Sequence, residues 1–68
     1  MEFHLDVHHV EVWNDVAYSS CSFEIRYYND GELILQKKFA TMKECDPAFR
    51  CLVRAILDGK EITGDWHL

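Results

Sequence analysis

The stretch CSFEIRYYNDGELILQKKF, residues 21–39, decides the fold. Apolar side chains stand at Cys21, Phe23, Ile25 and Tyr27, then at Leu33, Leu35 and Phe39, with Asn29-Asp30-Gly31 between the two sets. Period-two alternation on either side of such a turn reads as a β-hairpin with one buried face. Parity selects the register. A two-residue Asp30-Gly31 loop sets Tyr27 against Ile34 and places Leu33 and Leu35 on the face opposite Phe23 and Ile25. A three-residue loop, Asn29-Asp30-Gly31, pairs Tyr27 with Leu33, Ile25 with Leu35, Phe23 with Lys37 and Cys21 with Phe39. It gathers nearly all the apolar side chains on one face. A slip of one residue turns every side chain over, so the three-residue loop is the expected one. Gly31 supplies the left-handed position that this loop needs. The other face, with Ser20, Ser22, Glu24, Arg26, Tyr28, Ile34, Gln36 and Lys38, is expected to be open and mostly polar.

Upstream, Phe3, Leu5 and Val7 alternate with polar residues, and then the apolar parity changes to Val10 and Val12. The spacing predicts one strand from Glu2 to Trp13, with a β-bulge or a bend at His8-His9. Asn14-Asp15 is the turn candidate that follows. Downstream, Asp46 is a suitable N-cap and Pro47 a suitable first helical residue. Phe49, Leu52, Val53, Ile56 and Leu57 recur at helical spacing, and Gly59 stands where a C-terminal cap belongs. Thr41-x-x-Glu44 can cap an earlier turn, with a break expected near Cys45-Asp46. In the tail, Ile62, Gly64, Trp66 and Leu68 fall at period two, either as a short last strand or as an extended segment over the core. The expected fold is one small two-layer α+β domain over residues 1–68. A three-stranded antiparallel sheet, four-stranded if the tail joins it, carries one C-terminal helix on one face, in the order β-β-β-α(-β).

A chain of 68 residues that is 49% hydrophobic can form one compact core but has little stability to spare. No apolar run approaches the roughly 18 residues needed to span a bilayer. Met1-Glu2-Phe3-His4 lacks the basic and apolar regions of a secretory signal. Three cysteines, Cys21, Cys45 and Cys51, cannot all pair within one chain and suit a reducing compartment. A cytoplasmic protein is therefore expected, with no membrane partner. The net charge of −5 is uneven. Residues 1–36 hold seven acids against Arg26 alone, whereas residues 37–68 are nearly balanced. Such a layout favours a basic protein partner over nucleic acid.

The chemistry-bearing residues are sparse. His4, Asp6 and His8 share one face of a regular first strand, where adjacent members lie roughly 6.6 Å apart. A metal site or a pH-sensitive edge is conceivable there, but a solvated polar edge is the expectation, because structural zinc wants four ligands. No Cys or His pair has zinc-finger spacing, and no glycine loop for phosphate is present. Cys45 beside Asp46 lacks any motif of a thiol nucleophile, and Cys51 falls away from the expected helix core. No catalytic residue, metal or cofactor is assigned.

These observations lead to a small acidic, non-enzymatic protein-binding module. One form of it is a phage or mobile-element inhibitor that sterically blocks a basic surface of a host protein. The expected contact residues are Glu2, Asp6, Glu11, Glu24, Arg26, Tyr28, Glu32 and Ile34. Tyr and Arg are favoured interface anchors, and the acids supply complementary charge. Two alternatives stand beside it: a homodimer or larger homo-oligomer paired through edge strands, and a small metal- or thiol-dependent enzyme.

Overall fold

The hairpin expected from residues 21–39 is present, but it is built differently. In the computed structural model, which describes residues 1–15 and 22–68, strand β3 (Ser22–Asn29) pairs antiparallel with β4 (Glu32–Phe39). The loop has only two residues, Asp30 and Gly31, with φ of +52° and +84°. Positive φ at both positions is the type I′ turn, whose twist matches that of the flanking strands. Tyr28 then faces Leu33, yet Tyr27 faces Leu35, so Ile34 is an extra residue in a β-bulge. Beyond the bulge Ile25 faces Lys37 and Phe23 faces Phe39. The expected pairs Tyr27–Leu33, Ile25–Leu35 and Phe23–Lys37 are thus each displaced by two residues, which preserves the face. The expected Cys21–Phe39 pair lies outside the described residues.

The bulge exchanges two side chains between faces. Leu33, expected in the core, is 45% exposed on the open face. Ile34, expected on the open face, is half-buried against the core on the helix side.

The single first strand is in fact two. β1 (Glu2–Leu5) and β2 (His8–Asp15) form a second hairpin about Asp6-Val7, with Leu5 opposite His8, His4 opposite His9 and Phe3 opposite Val10. Asp6 takes φ of +53°, a conformation that Asp tolerates better than most residues. A two-residue turn pairs odd with even positions, and this accounts for the change of parity at His8-His9 without a bulge. Asn14-Asp15 is not a turn; these residues extend β2 and face Phe23 and Ser22. The four strands form an antiparallel meander in the order β1-β2-β3-β4. The backbone N–H of Asp30 donates to the Val7 carbonyl at 2.8 Å, tying the two hairpin turns together.

Helix α1 (Met42–Leu57) lies across β2, β3 and β4, completing a two-layer α+β domain. It runs without the break expected near Cys45-Asp46, and Asp46 is not its cap. Thr41 is the N-cap, and its hydroxyl accepts from the Glu44 N–H at 3.3 Å. Pro47 sits inside the helix and removes the hydrogen bond to the Lys43 carbonyl. Lys43 and Pro47 are both exposed, so water can serve that carbonyl. At the other end, Gly59 has φ of +77°. Its N–H donates to the Ile56 carbonyl and that of Lys60 to the Ala55 carbonyl, the paired bonds of a Schellman cap.

The buried stripe of α1 is Cys45, Ala48, Leu52, Ala55 and Ile56, flanked by half-buried Phe49 and Val53. It is turned toward the small residues relative to the expected stripe, so Leu57 is 58% exposed. Small side chains let the helix approach the sheet closely over Val10, Ile25, Tyr27 and Leu35, the core residues of the strands. The tail forms no strand. It follows an extended and turning path in which Ile62 is buried and Trp66 and Leu68 pack on the core. Among the described residues no helix is long and apolar enough to cross a membrane.

Candidate functional site

The open sheet face is read from the pairing. Residues directly opposite each other point the same way, so His4, His9, Tyr28 and Leu33 form one row across the four strands. Glu2, Glu11, Arg26 and Gln36 form the next, and Trp13, Glu24 and Lys38 a third. With the two hairpin turns as a rim, this face forms a shallow open concavity of about 740 Å³. It is lined by His4, His9, Glu11, Trp13 and Tyr28, with Asp6, Val7, Asp30 and Gly31 at the rim.

The His4 and His9 rings meet edge to face, with centroids 3.9 Å apart. Nδ1 of His9 and Nε2 of His4 point at each other within hydrogen-bonding reach. The far nitrogen of His9, Nε2, lies 3.4 Å from a Glu2 carboxylate oxygen and 3.4 Å from one of Glu11. Tyr28 meets the other side of His9 edge to face at 5.8 Å. Trp13 Nε1 donates to Glu11 at 3.2 Å, and the Arg26 guanidinium stacks 4.6 Å over the Trp13 ring. The aromatic and charged side chains thus contact one another across the face, and Trp13 is 49% exposed.

Glu24 is a different case. It is only 8% exposed, and Arg26 donates to its carboxylate. Burial alone raises its pKa. Hydrogen bonds from Arg26 and Gln36, together with the positive charges of Arg26 and Lys38, outweigh burial and hold it below the usual glutamate value. The sign of the pH dependence follows. A carboxyl with a depressed folded pKa adds stability above the unfolded value of about 4.3, and the contribution vanishes as pH falls through the folded value. Acid unfolding curves are therefore expected to show a smaller loss of stability below about pH 4.3 for Glu24→Gln than for the unaltered chain. Identical acid limbs would show that Glu24 plays no part.

Of the eight contact residues expected from sequence, Glu2, Glu11, Arg26 and Tyr28 converge on this face. Asp6 stands on the rim, in the β1–β2 turn. Glu24 shares the face but is sequestered by Arg26, so it offers little free charge. Glu32 faces Asn29 at the end of the β3–β4 hairpin and, like the bulged Ile34, lines the helix-side recess with His8 and Lys60. The expected acidic surface is accordingly smaller and lies at one end of the sheet. His9 and Trp13 were not among the expected residues, and His4 was weighed only with Asp6 and His8 as a metal or pH-sensitive edge, not as a contact residue. Their only signal was the parity change at His8-His9, which becomes informative once it is read as a turn. His4, Asp6 and His8 do not share a face, because the turn separates them.

The thiols divide by exposure. Cys45 is fully buried, and burial followed by the neighbouring Asp46 charge raises its pKa, which disfavours the nucleophilic thiolate. Cys51 is exposed on the outside of α1. No protein-family model, curated protein or solved structure matches this chain.

Proposed function

We propose that this chain is a non-enzymatic protein-binding module that docks a basic surface of its partner onto the open sheet face. The observation that carries this reading is the concavity itself. Trp13 and Tyr28 supply contact area within it and Glu11, Asp6 and Asp30 negative charge, with exposed Leu33 and Glu2 beside it on the same face, and no Lys or Arg lines the hollow among the described residues. Aromatic anchors surrounded by complementary charge are the usual makings of a binding hot spot. In this form the protein acts as a steric inhibitor that covers an Arg- or Lys-rich surface, as small phage and mobile-element products do. The charge comes from β1, β2 and the two hairpin turns, not from Glu24 or Glu32.

Assembly through edge strands is the weaker reading. β1 has only four residues, and β4 carries a bulge together with Lys37 and Lys38, features that blunt an edge. The test is to capture partners from the native host with the unaltered chain, then to measure affinity for the purified partner. Trp13→Ala and Tyr28→Ala are each expected to weaken binding about thirtyfold. Raising salt from ~50 to ~500 mM is expected to weaken it further. Affinity that ignores both variants and salt would overturn the assignment of this face.

A further inference from the structure

We propose that Glu2, His4 and His9 form a binding site for one divalent transition-metal ion, Zn²⁺ by preference. The hairpin register brings His4 and His9 directly opposite each other on the open face, and Glu2 lies two residues before His4 on the same side. Each of the three offers one ligand atom, and these atoms lie within 4.8 Å of one another. Ligand atoms around a tetrahedral Zn²⁺ stand roughly 3.3–3.5 Å apart, given Zn–N and Zn–O bonds near 2.0–2.2 Å. Small rotations of the exposed Glu2 and His4 side chains, which part the two imidazole nitrogens, bring the three atoms to that spacing.

The surroundings of His9 provide a second, independent observation. Its Nε2 faces the carboxylates of Glu2 and Glu11, both at 3.4 Å. With the ring proton on Nε2, beside these carboxylates, the lone pair stands on Nδ1, the atom aimed at His4 Nε2. A histidine whose far N–H is held by a carboxylate is the standard arrangement of an imidazole metal ligand. Glu11 fills that role when Glu2 turns to the ion, and Trp13 Nε1 in turn holds Glu11. Two imidazoles and a carboxylate suit Zn²⁺ and its transition-metal neighbours, not Mg²⁺ or Ca²⁺, which require oxygen shells. Three protein ligands leave a fourth position to water. The hollow around them has acids at Asp6 and Asp30 and no Lys or Arg among the described residues, so its charge favours a cation. The bound ion links β1 to β2 and thereby braces the short edge strand.

The site shares a face with the partner surface proposed above, but its test needs only protein and metal, so failure of either leaves the other standing. The full chain, stripped with chelator, is titrated with Zn²⁺ and followed by calorimetry and by ¹⁵N–¹H spectra of the imidazole rings. One equivalent is expected to bind, shifting Nδ1 of His9 and Nε2 of His4 while His8 and His67 stay in place. His4→Gln is expected to abolish saturable binding, Glu11→Gln to weaken it about tenfold, and Cys51→Ser to leave it unchanged. His4 is exposed, so its variant is expected to fold, which a melting curve verifies; the ring shifts in the unaltered chain decide the matter regardless. The proposal is overturned by absence of one-equivalent binding, by shifts at His8 or His67 in place of His4 and His9, or by binding that Cys51→Ser removes and His4→Gln retains.

Discussion

Replacing Leu52 with alanine is expected to lower the free energy of unfolding by about 2–5 kcal/mol. Native domains are stable by only about 5–15 kcal/mol, and one this small belongs at the low end. The variant is therefore expected to keep only a small margin of stability and to melt at a markedly lower temperature. Leu52 is fully buried in the middle of the helix stripe. Its stripe neighbours Cys45, Ala48 and Ala55 are small, so they contribute little to closing the cavity. Two companions show which face of the helix is inside. Leu57→Ala is expected to change stability by less than about 0.5 kcal/mol, because Leu57 is 58% exposed. Phe49→Ala should fall between the two, since Phe49 is half-buried beside Phe3 at the flank of the stripe. Urea unfolding at matched slope gives the order. Equal losses for Leu52→Ala and Leu57→Ala would show that the helix presents a different face to the sheet.

Leu52 and Ile56 are buried as the sequence predicts, but the stripe is rotated away from Leu57 toward the small residues, for a physical reason. The large side chains Phe49, Leu52, Val53, Ile56 and Leu57 mark an apolar arc, but close packing on a sheet favours the small ones beside it. Cys45, Ala48 and Ala55 carry little hydrophobic signal, yet they set how near the helix comes. Pro47 misled in the same way. Its local cost is real, but a capped helix whose missing bond faces water tolerates it, because tertiary packing overrides local propensity.

The strands were legible because period two survives most errors of detail. Two- and three-residue loops differ in parity, so parity alone selects the three-residue loop for the β3–β4 hairpin. A bulge restores what the shorter loop takes away. A three-residue loop, and a two-residue loop followed by one bulged residue, leave the same residues facing in after the irregularity. Patterning alone cannot separate them; the preference of Asp-Gly for a type I′ turn can. The same ambiguity concealed the candidate site. One inserted residue at His8-His9 and a turn at Asp6-Val7 both explain the apolar pattern, but only the turn places His4 beside His9. Nothing in the spacing of His4 and His9, five residues apart, shows that they meet. By contrast, Arg26 and Tyr28 were found because alternation along β3 fixes their face, whereas Glu2 and Glu11 were found through the excess of acids in residues 1–36, and only the β1–β2 turn puts them side by side.

Tyr27→Ala is expected to cost about 3–5 kcal/mol, in line with the loss of other large buried rings. Tyr27 is fully buried on central strand β3, between Val10 of β2 and Leu35 of β4. It is also the last residue before the register shifts, so its ring packs where the strands are least regular. Its hydroxyl has separate work. It accepts from Asn29 Nδ2 at 3.2 Å and shares a hydrogen bond with His8 Nδ1 at 2.7 Å. The His8 ring stacks nearly parallel to it at 5.9 Å. Tyr27→Phe keeps the ring and removes these bonds, and is expected to cost only about 0.5–1.5 kcal/mol, the usual net worth of a hydrogen bond. Because β3 carries Tyr27 inward and Tyr28 outward, the two variants also separate stability from function. Tyr27→Phe should leave the open face intact, with partner affinity and Zn²⁺ binding unchanged, while Tyr27→Ala should lose both together as the sheet unfolds. Chemical denaturation supplies the energies, and the His9 ring resonances report whether the face survives. If Tyr27→Phe proved as damaging as Tyr27→Ala, the hydroxyl network with His8 and Asn29, not the buried ring, would be what secures the middle of the sheet.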